Sequence, residues 1–327
     1  MTSVGSKKTI VVGHFGQDGS LLVSDLQKRG DEIIGIGRSS CIFPTGFPYN
    51  VIRDITSAME VYKAVRLFQP DEIYYLAAYH TSSEAGATQI QLQNQFESAQ
   101  VIHVKGLVNC LSAIVEESPK TRLFYASSSL VFSGENNERQ DETTPLTPQG
   151  FYGITKAQGM WLCREFRKNH NVFASTGILY NHESHLRAPG FLSAKIIKAA
   201  IRISLGSPEK LEIGNLSSRV DWGYAKDFVL AFQKILAADK SDDFIIATGE
   251  AHTVKEFIDI VFGYFGINPD KYVVENKKIL TRVAPVKIGD ARKLQMATGW
   301  SSSFSYPDFV IQLVKDHMSL AGKNDSN

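Results

Sequence analysis

The chain has only three cysteines in 327 residues, Cys41, Cys110 and Cys163, an odd number and widely scattered. That excludes a disulfide framework and the close-set thiol pairs of a zinc centre, so no metal site is expected. There is almost no excess of one charge. Thirty-five Lys and Arg against 34 Asp and Glu leave a formal +1, so no bulk attraction to nucleic acid or lipid headgroups is expected. No apolar run reaches bilayer length, and residues 1–8 lack the apolar core of a signal peptide. Internal repeats and low-complexity tracts are absent. What is present, 43% hydrophobic and 21% charged residues, is the balance of a globular protein with one large domain or two joined ones. The expectation is a cytoplasmic protein with no nucleic-acid or membrane partner.

Residues 9–12 form a short β-branched run that reads as a buried strand. It meets Gly13, Gly16, Gln17, Asp18 and Gly19, after which residues 20–29 take helical spacing and Gly30 closes the helix. Residues 32–37 read as a second strand. Strand, glycine turn, helix and strand within one βαβ length suit a dinucleotide. Glycines let backbone amides approach a pyrophosphate, and the helix start adds its positive dipole end. The spacing is Gly-x-x-Gly-x-x-Gly rather than Gly-x-Gly-x-x-Gly. Arg38, followed by Ser39, stands where an acid would hold a ribose 2′-hydroxyl, so the expected cofactor is NADP, with NAD possible.

Further strands are expected at 51–53, 72–76, 123–126 and 172–179, alternating with helices at 58–68 and 91–116. Asp54 and Ile55 are placed to flank an adenine. Leu76, Ala77 and Ala78 leave room for a dinucleotide at the sheet's C-terminal edge. Ser128 arrives at the same edge. Tyr152 and Lys156, four apart on one helical face, put an ammonium beside a phenol, which would lower the phenol's pKa and let it pass a proton. The alternation predicts an α/β fold, a Rossmann-type doubly wound parallel sheet. After Tyr180 the pattern breaks into a hydrogen-bonding loop, helices at 192–203, 224–237, 254–265 and 306–318, strands at 211–213 and 244–247, and a loop at 219–222. These suit a smaller mixed α/β C-terminal region. The expected division is 1–180 with 224–250 for the cofactor, and 181–223 with 251–327 for the substrate.

With the glycine turn, the serine and the Tyr/Lys pair in order, the chain resembles an extended short-chain dehydrogenase/reductase. Gly16-Gln17-Asp18-Gly19-Ser20, Asn181-His182-Glu183-Ser184, Gly214-Asn215-Leu216, Asp221-Trp222-Gly223-Tyr224-Ala225-Lys226-Asp227 and Ala247-Thr248-Gly249-Glu250 resemble segments of the GDP-mannose 4,6-dehydratases. The resemblance implies hydride transfer between C4 of a nucleotide-linked hexose and NADP. It makes Tyr152 the base, Lys156 its partner on the nicotinamide ribose, and Ser128 the stand-in for a threonine beside the C4 oxygen. It places His182 and Arg187 on the cofactor; Asn181 and Arg282 are the candidates for the substrate side, with Lys195 and Arg219, each one residue from a family cation, as candidates for the substrate's phosphates. It also implies a homodimer or homotetramer.

The departures are specific. The run from Ser127 to Tyr152 lines up with that family without a gap, and its catalytic glutamate, which works at C5 and C6, is replaced by Leu130. Its tyrosine two residues on is Phe132. Glu135 and Glu138 lie in the following loop. The arginine directly before Asp221 is Val220, with Arg219 one residue earlier; Ala194 beside Lys195 removes another cation, and the stretch 282–290 is short. The residues kept serve hydride and proton exchange at C4, and those lost serve dehydration. The expected activity is a 4-keto reductase or a C4 oxidase/epimerase on a GDP-mannose-like nucleotide sugar. The alternatives are a 4,6-dehydratase with a relocated acid/base, and a cofactor-binding protein without turnover.

Overall fold

Short β-branched runs separated by amphipathic helices dictate a layered α/β architecture. The computed structural model describes residues 6–37, 54–79, 89–134, 139–279 and 285–324. Its strands are β1 (Lys8–Val12), β2 (Glu32–Ile36), β3 (Glu72–Tyr75), β4 (Arg122–Ala126), β5 (Arg139–Gln140), β6 (Phe173–Leu179), β7 (Asn181–Glu183), β8 (Leu211–Ile213), β9 (Arg219–Val220), β10 (Trp222–Tyr224), β11 (Asp243–Ile246), β12 (His252–Thr253), β13 (Val273–Glu275) and β14 (Ile288–Gly289). Its helices are α1 (Gln17–Arg29), α2 (Ala58–Phe68), α3 (Gln89–Gln100), α4 (Gly106–Glu117), α5 (Gly150–His170), α6 (Leu192–Ser204), α7 (Ala225–Ala237), α8 (Val254–Tyr264), α9 (Arg292–Thr298) and α10 (Tyr306–Asn324).

Six parallel strands make the central sheet in the order β11-β6-β4-β3-β1-β2. The chain leaves β1 for β2 on one side and returns to β3 on the other, which opens a crevice above the carboxyl ends of β1 and β3. Both faces are covered. Val65, Leu111, Ile114 and Met160 from α2, α4 and α5 fill one side. Leu22, Leu26, Phe228 and Phe232 from α1 and α7 fill the other. A third core, with Ile197, Ile213, Trp222, Phe257 and Leu313, joins α6, β8, β10, α8 and α10. Gly30 closes α1 with φ 88°, donating to Gln27 and Leu26 carbonyls, as its position after the last apolar residue predicts.

Three sequence expectations are corrected. Residues 219–222 are not a plain loop: β9 pairs antiparallel with β12, and β10 pairs parallel with β7. The helix α9 was not expected. The helical stretch across 91–117 is also long and apolar enough to cross a bilayer, with a mean hydropathy of 1.3 and half of its window buried inside the protein. Polar side chains interrupt its sequence, so it does not show as an unbroken apolar run. In the fold α4 packs against α2 and α5. The strand expected at 51–53 lies outside the described residues.

Candidate active site

The carboxyl edge of β1 turns sharply at Gly13, whose φ is +88°. A Cβ there would lie 2.7 Å from the Ala77 nitrogen, and one on Gly19 would lie 2.3 Å from the Gly13 carbonyl oxygen. Only glycine lets the turn, the end of β3 and the start of α1 approach so closely. No side chain caps α1 at Gly16, so the first-turn amides are left to an anion. Together with small Ala77 and Ala78, this cradle fits a dinucleotide pyrophosphate.

One cavity of about 720 Å³ runs from this cradle across the sheet edge into the third core. It brings together Gly13, Gly16, Gln17, Asp18, Gly19, Asp54, Ile55, Leu76, Ala77, Ala78, Ser128, Tyr152, Lys156, Asn181, His182 and Arg187. Leu130 is on the same wall. Lys195, half-buried on α6, and exposed Arg219, which donates to the Ala251 carbonyl at 3.4 Å, are not on it. Arg38, Ser39 and Arg282, and with them Glu135 and Glu138, lie outside the described residues. The far end of the cavity is lined by Leu192, Ile213, Val220, Trp222 and Val254. Spacing alone does not reveal these, because they come from five separate elements.

The Tyr/Lys pair differs from the simple picture. Lys156 is 1% exposed, and its ammonium donates to the Ala126 carbonyl at 2.7 Å. It lies 5.6 Å from the centre of the Tyr152 ring. Burial pulls its pKa from 10.5 to about 7, with Asp18 opposing. Burial likewise pushes the Tyr152 phenol up to about 12, with Arg187 pulling down and Asp18 pushing up. The expected lowering by the lysine is therefore overturned by desolvation. At neutral pH the phenol holds its proton and is a donor.

Two supports escape sequence reading. A single π turn, Val101–Lys105, joins α3 to α4 and aims buried His103 at the site. Its Nε2 accepts from the Tyr79 amide at 2.9 Å, so Nδ1 carries the proton toward Thr155 Oγ1 at 2.7 Å. The ring meets Tyr152 edge-on at 5.3 Å. The other support is Glu183, buried on β7, which accepts from Ser193 Oγ at 2.5 Å and pairs with Arg187 Nε at 3.3 Å. The only sequence signal for His103 is a lone histidine in an apolar stretch.

Ser128 Oγ accepts from the Leu130 amide at 3.2 Å, and the Leu130 carbonyl lies 2.4 Å from where a Cβ on Gly153 would sit. The turn carrying Ser128 and Leu130 is thus pressed onto the start of α5 beside Tyr152. Residues 10–313 match the GDP-mannose 4,6 dehydratase family. The chain belongs to that family. It is 33% identical over 340 residues to GDP-mannose 4,6 dehydratase 1 of Arabidopsis thaliana, covering 96% of this chain and 91% of the relative. It is 30% identical over 362 residues to the Cricetulus griseus GDP-mannose 4,6 dehydratase, covering 97% and 93%. In fold it is similar to the UDP-glucose 4-epimerase of Thermotoga maritima solved with UDP-glucose, with a TM-score of 0.81 at 19% identity over 96% of this chain and 99% of that one. It is a member of the nucleotide-sugar epimerase/dehydratase enzymes, and Leu130 stands on its cavity wall with Ser128 and Tyr152.

Proposed function

We propose that the chain is an NADP-dependent oxidoreductase that reduces the C4 ketone of a nucleoside-diphosphate hexose. The observation that carries this reading is Leu130, which lines the cavity with Ser128 and Tyr152 at the position that resemblance gives to the acid/base of dehydration. The carboxylates on the described cavity wall do not offer a ready replacement. Asp18 pairs with His182, Asp54 accepts from Thr56, and Glu183 holds Ser193 and Arg187. A bound nicotinamide supplies or takes the hydride. Tyr152, protonated at neutral pH, gives its proton to the C4 oxygen, and Ser128 orients that oxygen. Lys156, whose ammonium lies 5.6 Å from the centre of the Tyr152 ring, would hold the ribose. Leu130 presents an apolar surface to the cavity that Ser128 and Tyr152 line, which suits a methyl at C6 better than a hydroxymethyl. The substrate class is then a 4-keto-6-deoxyhexose on a nucleoside diphosphate.

The same reading divides the chain into a cofactor part, 1–180 with 224–250, and a substrate part, 181–223 with 251–327. The closure of the sheet by β11 and the separate third core support that division. NADP rather than NAD rests on Arg38. The test is to give the protein GDP-4-keto-6-deoxymannose with NADPH and with NADH, and separately GDP-mannose with NADP. Oxidation of NADPH with the keto sugar, lost in Tyr152→Phe while cofactor binding persists, is the expected result. Formation of a 4-keto-6-deoxy product from GDP-mannose at ordinary turnover overturns it.

A further inference from the structure

The resemblance puts His182 on the cofactor, but its geometry gives it another task. Both ring nitrogens already face acceptors: Nδ1 lies 2.7 Å from the Tyr180 carbonyl, and Nε2 lies 2.9 Å from Asp18 Oδ2. A neutral imidazole has one N–H and cannot donate to both. The arrangement is satisfied when the ring is an imidazolium and Asp18 a carboxylate. His182 is 7% exposed, and its ring stacks on Phe228, 4.5 Å between centroids and 17° from parallel, which also favours a cation. Burial alone would lower the His182 pKa, but the Asp18 charge and hydrogen bond raise it. Burial alone would raise that of Asp18, but His182 holds it down.

Asp18 lies in the first turn of α1 and lines the cavity that the cradle opens into. An unneutralised carboxylate there would repel a pyrophosphate. Gln17, its neighbour, ties the same segments together: Nε2 donates to the His182 carbonyl at 3.1 Å, and Oε1 accepts from the Ser184 amide and hydroxyl at 3.1 and 3.0 Å. The α1 start and the β7 segment are therefore locked by two adjacent residues, and only one of these links carries charge.

We propose that Asp18 and His182 form a neutral carboxylate–imidazolium pair that makes the α1 start acceptable to the dinucleotide pyrophosphate, with His182 acting as a positioning residue. The pair rests on the reading that this cavity takes NADP. Among the described residues, the other charged or titratable groups facing it are Arg187 from the loop after β7, itself paired with Glu183, and Lys156 and Tyr152 from α5.

The test is direct NADPH binding, read by the fluorescence of the bound dihydronicotinamide from about pH 6.5 to about pH 9.5. The variants are His182→Gln, Asp18→Asn and the two combined. His182→Gln should weaken NADPH binding by about ten-fold or more, because it leaves Asp18 charged and unpaired. Asp18→Asn, which removes the repelling charge together with the link, should weaken it less than His182→Gln does, and the double variant should regain most of the loss. The raised His182 pKa keeps the pair intact at acid and neutral pH and lets it fail as pH rises through that value. Wild-type affinity should therefore fall at alkaline pH more than that of the double variant, in which Lys156 still titrates. Wild-type affinity in His182→Gln, binding by Asp18→Asn no better than by His182→Gln, or a double variant no better than His182→Gln overturns the pair. Should His182→Gln not fold, the wild-type pH profile set against that of Asp18→Asn still decides: an equal alkaline loss in both overturns the pair. No NADPH binding by the wild type would instead refute the cofactor reading itself.

Discussion

Introducing a carboxylate at position 130 is the sharpest test of the proposed preference for reduction over dehydration. Leu130→Glu places an acid/base on the cavity wall that Ser128 and Tyr152 share. The backbone there is well held. The Leu130 amide donates to Ser128 Oγ at 3.2 Å, its carbonyl abuts Gly153, and neither contact uses the side chain. Leu130 is half-buried, so exchanging it forfeits part of the roughly 1.5–3 kcal/mol of a buried leucine and adds partial desolvation of a carboxylate. The total, about 1–3 kcal/mol, is within the usual folding margin of about 5–15 kcal/mol. On the chemical side, a positioned acid/base contributes about 10²–10⁴-fold, or roughly 3–5 kcal/mol of barrier. With GDP-mannose and NADP, the variant should release a product lighter by one water, at a rate above wild type by that factor. Mass spectrometry of the nucleotide sugar reads it. A folded, NADPH-binding Leu130→Glu that makes no more dehydrated product than wild type would show that Leu130 is not what withholds dehydration.

Gly153→Ala should cost activity without touching any reacting group. Its Cβ would meet the Leu130 carbonyl at 2.4 Å, so the Ser128 turn or the Tyr152 turn must move, and about 10²-fold in kcat/KM is the scale for such a misplacement; wild-type kinetics would show that the contact yields freely. Lys156→Met tests the buried ammonium through stability. The wild-type lysine falls from 10.5 to about 7 on folding, so between those values the unfolded chain holds a proton that the folded one has released. Stability of the free protein should rise with pH across that window, by up to roughly 4–5 kcal/mol, and the variant should lack this rise in denaturant titrations. An identical pH dependence in both proteins would mean that Lys156 stays charged in the fold.

How far the site could be read from the sequence depends on how local each feature is. The glycine cradle is local: a β-branched run, glycines at fixed offsets and a helix ending at Gly30 determine β1, the turn and α1 without help from elsewhere. Tyr152 and Lys156 are local in position, since four helical residues bring them to one face, but not in chemistry. Spacing brings the two charges together and carries no information on their burial. In the fold the lysine turns to the Ala126 carbonyl on β4 and both side chains lose water, so burial sets both pKa values and sends the phenol upward. The Asp18–His182 contact joins residues 164 positions apart, and neither residue is unusual in its own segment. Strands of two or three residues, such as β9 and β10, are too short to show a period and exist because β12 and β7 pair with them. Leu130 is the opposite case. Its place is visible from the gap-free run to Tyr152, and its meaning comes from what it lacks. On the proposed reading, a leucine on the cavity wall beside a protonated tyrosine leaves a site that would deliver a proton to a C4 oxygen and has no group of its own at that position to take one from C5. That proposed asymmetry favours reduction over elimination only when the tyrosine and the leucine are taken together, since neither alone sets a direction.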